Sequence, residues 1–298
     1  MIDVFRTWQP AIIDYFVEHG ADLDADWPLA RALCEHIRVA LGTFKRHQHR
    51  YKSFSEQINI ALRYHCREGN LKWASLMLWA GADPHAPGPG SPWSHDTTDD
   101  DDTALELAAF YKHPEIFDLK AIRLNPLADN AGKILCQACW GRSVDLLVRL
   151  LELGYPPNDQ KNGGSSSVRH CISMINSNYG PPVSYGADRY LDTERSREYL
   201  KILSVLVQHG ARWVPEHGWE INHLRRDLIK LKPDYTVELV YLMASRGGCT
   251  RATMSEVVKT PAIRSHIAAH LPRVATLLSR LPETLSPIPA GQQRLETA

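Results

Sequence analysis

Five apolar helical segments of this chain each stop on a glycine. "AIIDYFVEHG" ends at Gly20, "LKWASLMLWAG" at Gly81, "SVDLLVRLLELG" at Gly154, "YLKILSVLVQHG" at Gly210 and "TVELVYLMASRG" at Gly247. Within each, apolar residues recur at i, i+3, i+4 and i+7, the pattern of one buried helix face. A helix that must stop sharply needs a left-handed residue just past its end, and glycine adopts that conformation at little cost. Stops repeated at intervals of tens of residues make a chain fold back and stack similar units. The expected fold class is all-α, a solenoid of about five to six helix pairs.

A shorter helical pattern precedes several of these segments. "ALRYHC" comes before "REGNLKWASLMLWAG", "ALELAAF" before "YKHPEIFDLKAI" and "ILCQACW" before "GRSVDLLVRLLELG". Small residues such as Ala108, Ala109 and Ala138 sit where two short antiparallel helices must approach closely. Taken together, the segments resemble ankyrin repeats, with their Leu-x-x-Ala-Ala helix, short turn, Val-Val-x-x-Leu-Leu helix and Gly-Ala-Asp ending. Leu62 to Asp83 follows that pattern with Gly69 at the inter-helix turn. Leu105 to Ile122 follows it with His113, Glu115 and Ile116 in the family places, and Leu135 to Gly154 follows it without a gap. The family's Thr-Pro-Leu-His signature is reduced to "TALE" at Thr103. The resemblance covers residues 1–281 with interruptions and implies an ankyrin-like array with caps at both ends.

The interruptions are insertions at about 27–54, 86–102 and 176–195, and residues 282–298 read as a disordered tail. Inserted material in such arrays maps to loops on one face, so these stretches are candidates for contact with a partner.

Composition narrows the chemistry. Basic and acidic residues balance at 34 each, which disfavours a dedicated nucleic-acid binder. The six cysteines are scattered through apolar helical patterns, as buried thiols in a reducing cytoplasm are. No basic leader precedes an apolar core, and no apolar run approaches the length of about 18 residues that spans a membrane. A cytoplasmic protein, monomeric when free, is expected. Cys136-x-x-Cys139 with His170 and Cys171 lacks the second closely spaced pair of a zinc site and falls at packing positions. The run Asp99, Asp100, Asp101 and Asp102 lacks the alternating ligands and bend glycine of a calcium loop. No metal, cofactor or catalytic residue is therefore assigned, and the chain is read as a non-enzyme.

In the ankyrin register Arg67, Phe110, Tyr111 and Trp140 fall at the ends of first helices, which the resemblance places along the concave groove. Aromatic side chains and arginine are the usual anchors of protein interfaces. The resemblance implies a scaffold that binds a protein partner, as an inhibitor or immunity-type binder would. These four residues would form a continuous strip, with Trp93 and the aspartates Asp99, Asp100, Asp101 and Asp102 at its rim. A secondary basic patch comprises Lys45, Arg46, His47, His49, Arg50 and Lys52, with Tyr51 interleaved. That patch supports one alternative, a nucleic-acid-associated adaptor. The other is an enzyme with a site framed by the insertions.

Overall fold

In the computed structural model of the chain, the described residues are 1–93, 101–158, 167–176, 193–215, 218–229, 233–245, 249–268 and 271–281. Among them every regular element is a helix, and the β-type contact is an isolated antiparallel bridge between Gly88 and Asp102. None of these helices is long and apolar enough to cross a membrane. The chain divides into two compact units, Met1–Leu124 and Asn125–Ala298.

The first unit holds α1 (Ile2–Phe5), α2 (Pro10–Glu18), α3 (Pro28–Cys34), α4 (Val39–His47), α5 (Phe54–Arg67), α6 (Leu71–Ala80) and α7 (Ala104–Phe110). It closes with a 3₁₀ helix, Pro114–Asp118. Helices α1, α3, α5 and α7 pack in that order as one layer, and each also packs on the helix that follows it. In the second layer α2 packs on α4 and α6 on the 3₁₀ helix, while Lys45 of α4 reaches Trp79 of α6. In the second unit α8 (Ala131–Trp140), α10 (Ser167–Asn176), α12 (Gly218–Leu228) and α14 (Arg251–Val258) pack in sequence. So do α9 (Val144–Glu152), α11 (Thr193–Gln208) and α13 (Pro233–Ser245), and α13 then meets α15 (Pro261–Ile267) and α16 (Leu271–Arg280).

One turn geometry punctuates both layers. Gly20, Gly81, Gly154 and Gly210 all hold positive φ, between 86° and 106°, just past a second-layer helix. After each, a backbone N–H donates back to the fifth residue before it: Ala21 to Phe16, Ala82 to Met77, Tyr155 to Leu150 and Ala211 to Leu206. A Cβ at these glycines would meet nothing within 4 Å, so the backbone angle selects glycine there, not crowding. Gly247 lies outside the described residues. The same bond recurs at the turn inside four of the pairs, from Ile37 to Ala32, Asn70 to His65, His113 to Ala108 and Ser143 to Ala138. The left-handed residue at those turns is His36, Gly69, Lys112 or Arg142, with φ between 56° and 68°.

Several stretches depart from expectation. Residues 27–54 contain the pair α3 and α4, with α3 in the same layer as α5, so this stretch adds a helix pair to the first unit. The second helix after α7 is a single 3₁₀ segment that starts on Pro114, and the chain is already extended at Leu119. Leu76 is only half-buried, because Trp73, Met77 and Leu78 take the core-facing places of α6. The tail 282–298 and most of the stretch 176–195 lie outside the described residues.

Helix α5 holds the first unit together through polar side chains as well as apolar ones. Gln57 accepts from the Leu29 and Ala30 N–H groups at the start of α3 (2.9 and 3.2 Å) and donates to the Leu23 carbonyl (2.7 Å). Asn59 accepts from the Asp83 N–H at 2.9 Å. The fully buried Arg63 donates to the carbonyls of Ala86, Pro87 and Pro89 at 2.8–3.2 Å and pairs with Glu56. Those bonds fix the base of the 86–102 hairpin. A Cβ at Gly88 (φ 147°) would stand 2.7 Å from the Arg63 guanidinium, so only glycine lets the loop close over it.

His65, on the same helix, is fully buried, donates from Nε2 to the Leu33 carbonyl (3.1 Å) and stacks on Trp73. Burial disfavours the imidazolium and pulls its pKa from 6.5 down to about 4. The unfolded chain therefore takes up a proton near pH 6.5 that the folded chain refuses until about pH 4. The stabilisation is complete above pH 6.5 and is lost as pH falls to about 4, a change of about 3 kcal/mol. Urea midpoints measured across that window should fall less for His65→Gln than for the wild type. Parallel curves would show that carboxylates alone set the acid limb.

Candidate functional site

The ends of α5 and α7 lie side by side, which brings together three of the four residues assigned to the strip. Arg67 closes α5, and its guanidinium lies 5.0 Å from the centre of the Tyr111 ring. Its carbonyl accepts from His113 Nε2 at 3.0 Å, which ties the end of one first-layer helix to the turn after the next. Phe110 meets Tyr111 edge-on at 5.0 Å. All three side chains are half-buried.

Trp93 stands beside them. It is 43% exposed and packs edge-on against Tyr64 at 5.7 Å. Tyr64 is the residue that the sequence reading missed. It precedes Arg67 by three positions, so helical spacing alone puts the two on one face. Burial, aided by the carboxylate of Glu68, raises the Tyr64 phenol above its usual pKa. Asp102 pairs its backbone with Gly88, and Asp101 is exposed beside it. Asp99 and Asp100 lie outside the described residues.

Trp140 belongs to the second unit, at the end of α8. It is 43% exposed and stacks nearly parallel on the buried ring of His170, 4.0 Å away at 10°. Tyr199 then meets His170 edge-on at 6.3 Å. One face of the indole is thus fixed by the protein. A pre-fixed aromatic loses little side-chain entropy when a partner covers it.

The basic patch is partly neutralised and partly used in packing. Arg46 donates to Asp14 at 2.7 Å, and His47 lies 3.6 Å from the same carboxylate. The Lys45 ammonium sits 3.1 Å over the Trp79 ring. Tyr51 stacks on Phe54 at 4.9 Å with the Arg50 guanidinium 5.6 Å from its ring, so it is already engaged. His49, Arg50 and Lys52 are exposed.

Burial keeps five of the thiols protonated. It pushes Cys66, Cys136 and Cys249 up to about 12 and raises Cys34 and Cys139 well above the usual range. Among the described residues no group of three or more His, Cys, Asp or Glu side chains could hold a metal ion. An open cleft of about 330 Å³ lies between α13 and α16, lined by Asp234, Val237, Glu238, Tyr241, Arg273 and Val274. Its described lining brings together carboxylates, a guanidinium and a phenol. No family model matches the chain, and no curated protein matches it.

Proposed function

We propose that the chain is an ankyrin-type array in the cytoplasm that acts as a non-enzymatic scaffold and binds a protein partner. The observation that carries this reading is the aromatic and arginine surface formed by Arg67, Tyr111, Phe110, Tyr64 and Trp93 at adjoining helix ends. Two further features support the repeat assignment. The same left-handed turn recurs within and between helix pairs. "TALE" also forms a full capping box, with the Glu106 N–H donating to Thr103 and the Thr103 N–H to Glu106. On the second unit, Trp140 offers a separate aromatic contact, held on His170. An inhibitor or immunity-type binder works through such a surface.

A nucleic-acid role has less support, because Asp14 and Phe54 already occupy Arg46 and Tyr51. The test is affinity purification from the native host with mass spectrometry, followed by titration of the captured protein. Trp93→Ala and Trp140→Ala should each weaken binding by about 2 kcal/mol or more, the loss typical of an interface anchor. Asn at positions 99–102 should slow association and flatten its salt dependence. Unchanged affinity in both tryptophan variants, with the fold intact, would reject this surface.

A further inference from the structure

Helix α13 presents Asp234, Val237, Glu238 and Tyr241 to the cleft between it and α16. Their spacing, i, i+3, i+4 and i+7, is that of one helix face. Across the cleft α16 supplies Arg273 and the buried Val274. Asp234, Glu238, Tyr241 and Arg273 are exposed, and Val237 is half-buried. Among the described residues none of the three charges is ion-paired, so the Arg273 guanidinium lies more than 4.0 Å from both carboxylates. Local forces do not explain this placement. Glu238 has the like charge of Asp234 one turn away on its own helix, which is unfavourable. Arg273 stands in the first turn of α16, where the helix dipole favours anions. Asp234 alone, in the first turn of α13, sits where its own helix favours its charge.

We infer that this cleft binds a free basic α-amino acid, of the class of lysine, ornithine and arginine. Charge selects the ligand. The lining holds two carboxylates on one wall and one guanidinium on the other, too far apart to neutralise each other. Its complement carries two cations and one carboxylate, which is the charge pattern of a free basic amino acid. The ligand carboxylate pairs with Arg273, and its two cationic groups pair with Asp234 and Glu238. A guanidinium can grip a carboxylate through two parallel hydrogen bonds, which fixes the orientation of the ligand. Val237 and Val274 give the methylene stem an apolar seat. Tyr241 adds an aromatic ring, a further partner for a cation. A polyamine lacks the anion for Arg273, and a phosphate meets two carboxylates, so neither matches the lining. Size agrees, since the cleft's volume of about 330 Å³ falls at the small end of the sites that hold small molecules.

The experiment is isothermal titration calorimetry on the full chain with L-lysine and L-arginine, each taken to about 10 mM. At least one should bind saturably, one molecule per chain. Cadaverine, which is lysine without its carboxylate, and norleucine, which lacks the side-chain ammonium, should each bind at least about tenfold more weakly. Asp234→Asn and Glu238→Gln should each weaken binding of the amino acid at least about tenfold, with circular dichroism unchanged. Arg273→Gln should bring the amino acid down to the affinity of cadaverine and leave cadaverine itself unaffected. The altered side chains are all exposed, so the variants should fold. No saturable heat with either amino acid, or binding indifferent to the three substitutions, would overturn the inference. Cadaverine binding as tightly as lysine would overturn it in favour of a site for polyamines. Equal affinity for Nα-acetyl-L-lysine would overturn it in favour of a peptide that ends in lysine.

Discussion

Arg63→Met should destabilise the first unit by about 3–5 kcal/mol, the cost of breaking a buried charge pair by removing one partner. The methionine would fill the space but leave the Ala86, Pro87 and Pro89 carbonyls and the Glu56 carboxylate without their donor. Desolvation already strains the site, since burial lowers the Arg63 pKa from its usual value despite Glu56. Glu56→Gln should cost much less, because the three carbonyls keep their guanidinium. Urea denaturation of both variants tests the claim. A loss below about 1 kcal/mol for Arg63→Met would mean that other contacts hold the hairpin base.

Leu147→Ala should cost about 2–5 kcal/mol in the second unit, and Leu150→Ala a similar amount. Both side chains are fully buried on α9, which packs between α8 and α11. The lost area and the cavity left behind add, because neighbouring helices are fixed by their own turns and cannot collapse into the gap. Thermal melts that shift only slightly would show a core able to repack.

The second-layer helix ends were legible in the sequence because they obey a chemical rule. A left-handed residue after a helix costs glycine least, and Gly20, Gly81, Gly154 and Gly210 all take that place. Inside the pairs, Gly69 alone marks its turn by residue type, while the turns after Phe110 and Trp140 were read from the repeat register. His36, Lys112 and Arg142 adopt the same left-handed angle with a side chain in place, so no residue type announces the stop. That is why α3 and α4 read as inserted material and not as a pair. The stretch "PLARALCEHIRVALGTFK" reads as one helical pattern, and the turn at His36 that splits it into α3 and α4 went unread. At the surface, Arg67, Phe110 and Tyr111 were legible because register places them at helix ends. The stack of Trp140 on His170 was not, because it joins residues from different helices that no spacing relates.

Gly69 and His113 carry a consequence for how such a sequence can change. The His113 ring occupies the space that a side chain at position 69 would fill, with Nδ1 only 2.4 Å from where a Cβ would stand. The ring cannot retreat without releasing the Arg67 carbonyl. The glycine itself is left-handed, at φ 68°. The two positions therefore behave as one heritable character, although 113 follows the next first-layer helix. An alanine at 69 is viable only in a lineage that has already traded the imidazole for something smaller. A lineage that keeps the imidazole has glycine as its only option at that turn.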